Sequence, residues 1–411
     1  MDNTLPPILS LVLLAIGIIW KFSQGSPVIR KSVGLVAIGT FSIALVYLQV
    51  SSETDPSILF LAGAILLSGF CTLLSQDNLQ QATDETYSST MIILALSLGI
   101  LLSPPIINNI FLVGFLGFIA ISINRGQQNT FRTKIIFLHI ALAITFSFSS
   151  AFTDETLQVL SRLFLAVTFL PLAPFHLPFI RIIKEGKGNL PSLWIVMWLA
   201  IGLNELNSIY SSLSKEALFA LSLLAFFSAV YASFASLAQR FNSLFVASAT
   251  VAHVALIWGL IQVFPAFSTW GIPFGITLAF VMSGISLAFS FVRLRYGWKT
   301  LGILPGLASP MPRFGVAMVL LVGLALFLPF FPTISGLMVM PTIVTQDIEL
   351  IMISLLYLVV WLGGGWYFIQ MLHQTAYGEA RTDVPYSDLQ LTEFVAVSTL
   401  IIGATYSGMI H

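Results

Sequence analysis

Apolar residues run along this chain in long blocks separated by short polar interruptions, from Leu5 to Met409. A helix needs roughly 20 apolar residues to cross a hydrocarbon core about 30 Å thick. Fourteen blocks approach that length: 5–22, 33–50, 57–76, 90–104, 106–123, 133–152, 157–180, 191–211, 217–239, 243–264, 271–293, 314–334, 349–372 and 391–409. A shorter piece, 336–344, continues the twelfth, and only "SPPIINN" separates the fourth from the fifth. No polar stretch is long enough to form a soluble domain. The pattern predicts an all-α polytopic membrane protein, one integral domain over 1–411.

The polar interruptions orient these spans. With the N-terminus outside and the loops alternating, fifteen of the seventeen lysines and arginines fall on the inner side, in loops such as "RGQQNTFRTK" and "RLRYGWK". The exceptions are Arg162 and Lys215. Inner loops of membrane proteins are enriched in these two residues, so both termini are expected on the outer side. The first block is followed by Lys21, Arg30 and Lys31 rather than preceded by basic residues. That order is the reverse of a signal peptide's, so the block is expected to remain as the first spanning helix.

Two blocks are broken. The seventh ends in "FLPLAPFHLPFIRI", with Pro171, Pro174 and Pro178, and the twelfth carries Pro329 and Pro332 in "LFLPFFPTISG". An interior proline removes a backbone donor and clashes with the preceding turn, at about 3 kcal/mol or more. The breaks lie five helices apart, each in the fourth member of a five-helix block, helices 4–8 and 9–13. An odd-numbered block repeated in tandem inserts with inverted topology. The expected division is helices 1–3 over 1–89, a first repeat over 90–212, a second over 213–375 and a C-terminal helix over 376–411. Matched breaks point to discontinuous helices beside a transport path; the alternative is that each is a packing kink.

Composition narrows the chemistry. Residues are 57% hydrophobic and only 8% charged, against the roughly 25% charged of a soluble domain. Formal net charge is zero, and no basic patch interleaves with aromatics, which argues against a nucleic-acid partner. The single cysteine, Cys71, excludes a disulfide framework, a thiolate zinc site and a protein-ligated iron–sulfur cluster. No nucleophile–base pair, phosphate loop or dinucleotide fingerprint occurs. "GGGW" at 363–366 reads as close helix packing by small residues. No cofactor or metal is expected, and any redox chemistry falls to a partner.

Ionisable groups deep in a bilayer are costly and mark function. Glu205 is the one acid well inside a span, where a proton relay and a structural role are equally open. His253, in "SLFVASATVAHVALIW", falls near the midplane, with Thr250 one turn away as a hydrogen-bonding neighbour. A neutral imidazole carries one donor and one acceptor and can pass protons. His139 and His176 lie shallower, towards the inner side. Arg162 sits two turns inside the outer end of its helix and can reach the interface.

These stretches resemble a known family. "LAPFHLPFIRI" is similar to the V-P-F-H-x-W-x-P-D signature on the broken seventh helix of the antiporter-like subunits of respiratory complex I, membrane-bound hydrogenases and Mrp cation/proton antiporters. "LAQRFNSLFVASATVAHVAL" is similar to the family's Q-x-x-x-K-R-x-x-A-Y-S-S-I-x-H-M-G-Y, matching at Gln239, Ala247 and His253. "FLPFFPTISGL" resembles its G-I-P-P-x-A-G-F break. The resemblance covers most of the chain and implies a divergent antiporter-like subunit of a complex-I-like assembly, a NADH:quinone oxidoreductase or a relative. Such a subunit is non-redox and is associated with proton translocation. It implies other membrane subunits as partners and an energy-converting membrane: bacterial plasma membrane, thylakoid or mitochondrial inner membrane.

Departures from the family pattern are specific. Phe169 stands where the family's lysine precedes the proline, and Phe118 stands near its fifth-helix glutamate. Ile201 or Gly202 falls at the eighth-helix lysine, with Glu205 one turn on, and Met340 falls near the twelfth-helix lysine or glutamate. The implied relay thus reduces to His253, with Glu205 and His176 as further candidates. Two other readings stay open: a non-conducting structural subunit that lost the lysine relay, and a stand-alone secondary transporter.

Overall fold

A computed structural model describes residues 5–23, 26–51, 55–76, 84–124, 131–152, 155–264, 266–331 and 347–409. Among them the secondary structure is helical, with a single isolated bridge, Phe241 to Thr300. Thirteen helices are long and apolar enough to cross a membrane. The chain is an all-α polytopic integral membrane protein. The seventh expected span does not count among the thirteen because it is two shorter helices.

The chain divides into two compact units. The first comprises Met1–Leu170 and Leu177–Ser212, and the second comprises Pro171–His176 and Leu213–His411. Helices of the first are α1 (Leu5–Phe22), α2 (Pro27–Ser51), α3 (Pro56–Leu74), α4 (Asp84–Leu102), α5 (Pro105–Asn124), α6 (Phe131–Phe152), α7 (Glu155–Phe169), α8 (Leu177–Glu185) and α9 (Leu190–Ile209). Those of the second are α10 (Lys215–Ala238), α11 (Asn242–Leu260), α12 (Phe267–Tyr296), α13 (Pro312–Phe327), α14 (Asp347–Thr375) and α15 (Leu391–Met409).

Local chemistry sets the helix ends. Asp55 caps α3 by accepting from Ser57 N at 2.8 Å, with Pro56 at the first position, where its missing donor costs nothing. Ser214 caps α10, accepting from Ala217 N at 3.2 Å. The α4–α5 turn is closed by Asn108, whose Nδ2 donates to Ile100 O at 2.7 Å and satisfies a terminal carbonyl. Several helices start earlier than the apolar pattern suggests: α2 at Pro27 and α4 at Asp84, not 33 and 90. Arg30 and Lys31 in α2, and Asp84 and Glu85 in α4, interrupt the apolar pattern within the first turns, so hydropathy alone truncates these helices.

Each unit is built around fully covered helices. In the first, α4 packs against α1, α3, α5 and α9, whereas α6 exposes most of its surface. In the second, the 18-residue core of α12 is entirely buried, and the helix is apolar on all sides, as a central helix must be. The two five-helix blocks share one neighbour pattern. Contacts α4–α5, α5–α6, α6–α7, α7–α9 and α4–α9 close one ring; α10–α11, α11–α12, α12–α13, α13–α14 and α10–α14 close the other. Helix α15 lies on α12 and α13.

The seventh span is interrupted between Phe169 and Leu177, around Pro171 and Pro174. Pro178 falls in the first turn of α8, a position where proline is tolerated. Helix α13 ends at Phe327 and tightens into a 3-10 turn, Leu328–Phe330, which contains Pro329. Pro332, Met340 and the 336–344 piece lie outside the described residues.

Candidate functional site

The break after α7 is held from both of its ends. On the first-unit side, Gly202 of α9 meets it directly: a Cβ added there would lie 2.7 Å from Leu170 N and from Phe169 C. Two backbones touch at that point, so no side chain of any kind fits. This is the physical reason why a lysine cannot stand at Gly202. Within the second unit, Ala173 N donates to Ser228 Oγ at 2.9 Å, which satisfies a donor that the broken helix frees. His176 is buried edge-on against the Tyr231 ring, with centroids 5.3 Å apart. Among the described residues neither ring nitrogen has a hydrogen-bond partner at ordinary geometry, although the Pro174 backbone lies close enough to act on the ring.

Inside the first unit, aromatic rings pack around Phe169 and Phe118. Phe169 packs on Phe115 at 6.1 Å and on Trp198 at 5.3 Å. Phe118 stacks on Trp194 at 6.0 Å, and Phe179 meets Trp198 at 5.7 Å. These are the spacings at which ring pairs attract. A cavity of about 180 Å³ lies beside this cluster, lined by Phe118, Trp194, Ser89 and Ser122 and by Glu85, Glu185 and Lys187. Lys187 is ion-paired to Glu85 at 2.6 Å, and Glu185 to Arg181 at 3.3 Å, so the charges lining it are mutually compensated.

Glu205 is buried on α9, in the first unit. The opposite charge acting on it is Arg162 of α7, whose Nη1 donates to Ser208 Oγ at 2.9 Å, three residues along from the glutamate. The sequence placed Arg162 at the interface and Glu205 alone; the structure sets them on adjacent helices as opposite charges. His139 Nε2 is 2.8 Å from Thr168 Oγ1, a contact between α6 and α7.

His253 is fully buried on α11, in the second unit. Its expected partner, Thr250, donates instead to Val246 O at 2.7 Å, as hydroxyls in helices often do. The Nδ1 of His253 lies 2.9 Å from Ala249 O and 3.2 Å from Tyr367 Oη on α14. Its Nε2 is buried without a hydrogen-bond partner among the described residues. Phe368 flanks the ring at 5.7 Å. Within the "GGG" run, Gly363 is the position where α14 comes tightly against α10, and Gly364 lies at ordinary contact distance from His253. A Cβ at Gly363 would meet Ser233 Oγ at 3.0 Å, and one at Gly364 would sit 3.6 Å from His253 Nε2. Sequence reasoning missed Tyr367, although the adjacent glycines signalled a close approach.

The structure therefore places His253 and His176 in one unit and Glu205 in the other. No three histidine, cysteine or acidic side chains among the described residues group closely enough to hold a metal ion.

The overall fold of this polytopic membrane protein recurs in solved structures. One chain of respiratory complex I from Thermus thermophilus with bound NADH superposes with a TM-score of 0.75 at 15% identity, covering 98% of this chain and 94% of that one. A chain of the membrane-bound sulfane sulfur reductase, an archaeal respiratory membrane complex, gives 0.73 at 12% identity, covering 96% and 74%. A chain of the Mrp complex from Dietzia sp. DQ12-45-1b gives 0.73 at 14%, covering 92% and 81%. No family model matches the sequence, and no curated protein matches it significantly. At such identities the likeness establishes the fold.

Proposed function

We propose that this chain is an antiporter-like membrane subunit of a complex-I-like assembly, associated with proton translocation, with its proton-handling group at His253. The observation that carries the reading is His253 itself: a buried imidazole with one nitrogen hydrogen-bonded and the other bare, at the position where the sequence resembles the family's relay. Support for the assembly comes from fold neighbours that are chains of multi-subunit respiratory and Mrp complexes. On this reading the partners are other membrane subunits, the five-helix rings are inverted repeats, and both termini face outward.

The second reading is a structural subunit that conducts nothing, and the aromatic cluster around Phe169 favours it. A relay needs charged or hydrated groups, because a hydrogen bond reaches only about 3 Å. Stacked rings supply neither. The two readings are compatible if the first unit is sealed and only the second handles protons. Glu205 then serves as a charge partner of Arg162.

The test is proton uptake by vesicles holding the chain with its partner subunits. The expected result is loss of uptake in His253→Ala and near-normal uptake in Glu205→Gln, with assembly intact in both. Undiminished uptake in both variants would exclude this route and favour the structural reading. A lone 44.9 kDa species on a native gel would instead point to a stand-alone transporter.

A further inference from the structure

His253 has asymmetric surroundings that bear on which ring nitrogen carries its proton. Ala249 O, 2.9 Å from Nδ1, is a carbonyl and only accepts. That contact requires the proton on Nδ1 and leaves the lone pair on Nε2. Tyr367 Oη, 3.2 Å from the same Nδ1, is a hydroxyl and both donates and accepts. If the proton moves to Nε2, the bare Nδ1 becomes an acceptor for the Tyr367 O–H. The carbonyl then loses its side-chain contact but still accepts the helical N–H four residues on, so it is not orphaned.

We infer that Tyr367 is a positioning residue for His253, keeping both neutral tautomers of the ring accessible so that Nε2 is an acceptor in one and a donor in the other. The two states differ by one proton relocated from Nδ1 to Nε2, with no change in charge. In either state Nε2 lacks a partner among the described residues; without the hydroxyl, the Nε2–H state would leave Nδ1 unpaired as well, a further cost that the Nδ1–H state avoids. The ring is held by aromatic neighbours: Phe368 at 5.7 Å, Tyr367 at 6.3 Å, and Phe245, which packs against both. This packing disfavours exchange of the two nitrogens by rotation of the ring. Gly364, by contrast, leaves the Nε2 edge uncovered by any side chain of its own. The inference rests on the reading of His253 as the proton-handling group, and extends it to a residue 114 positions away.

The test is nitrogen-15 magnetic resonance of ring-labelled histidine, on the chain reconstituted with its partner subunits. The His253 signals are those lost in His253→Asn. The unmodified protein is expected to show protonated and bare populations at both ring nitrogens. Tyr367→Phe, which removes one oxygen and keeps the ring, is expected to lower the Nε2–H population about fivefold, the worth of one net hydrogen bond. A single Nδ1–H tautomer in the unmodified protein, which needs no variant to fold, would overturn the inference. So would an unchanged population in Tyr367→Phe. Proton uptake in the same vesicles separates this from the functional reading. A shifted tautomer with normal uptake sinks proton handling at His253 but leaves the role of Tyr367. Lost uptake with unshifted tautomers does the reverse.

Discussion

Arg295 and Glu393 are the clearest case of what one side chain does for the second unit. Glu393 is fully buried at the start of α15, and its Oε2 accepts from Arg295 and from Gln390 N at 2.8 Å. Breaking a buried pair from one side strands the other charge, at about 3–5 kcal/mol. Glu393→Ala should therefore lower the thermal midpoint in detergent by several degrees, and Glu393→Gln, which keeps an acceptor for Gln390 N, by less. Equal midpoints for all three proteins would show that Arg295 finds another partner. Neither residue stands out in the sequence, because both fall in ordinary polar loop flanks. His253 was legible for the opposite reason: it is an isolated ionisable group in an apolar block. Its partner Tyr367 was not, since an interaction spanning 114 residues leaves no local periodicity.

At the level of elements, prolines announced the break after α7; Pro171 and Pro174 lie in it, and Pro178 falls in the first turn of α8. What the sequence concealed is how the break is held: the backbone contact with Gly202 and the hydroxyl of Ser228 are choices made by helix packing. Gly202→Val should force α9 away from Phe169 and Leu170, costing on the order of 1–3 kcal/mol as an overpacked core does. A lower yield of folded protein and a lower thermal midpoint are expected, against little change for the same substitution at Gly117, beside which a Cβ meets nothing within 4 Å. Indistinguishable effects at the two positions would deny the close approach. Helix ends were the least legible feature, because charged residues near the starts of α2 and α4 break the hydropathy signal there.

For the whole chain, loop charge carries the orientation, and cysteine labelling reads it. Gly186 is unsuitable for a label, since a Cβ there would lie 2.7 Å from Pro191 Cγ; Lys187, 61% exposed, is the better site. In a Cys71→Ala background, Lys187→Cys should react with an impermeant thiol reagent only from the inner side. Ser212→Cys, exposed between α9 and α10, should react only from the outer side. The reverse pattern would invert the topology. One boundary between the two units falls at Ser212 and Leu213, between α9 and α10. Phe169 and Phe118 were visible in the sequence as large apolar residues, but the aromatic cluster they form with Trp194, Trp198 and Phe115 was not. That packing has an optical consequence. Of the eight tryptophans, Trp194 and Trp198 are fully buried in the first unit and Trp258 and Trp270 in the second, while Trp361 and Trp366 are exposed. Each unit thus carries two fully buried indoles, and a red shift of their emission would report the arrival of water in either interior, with no label attached.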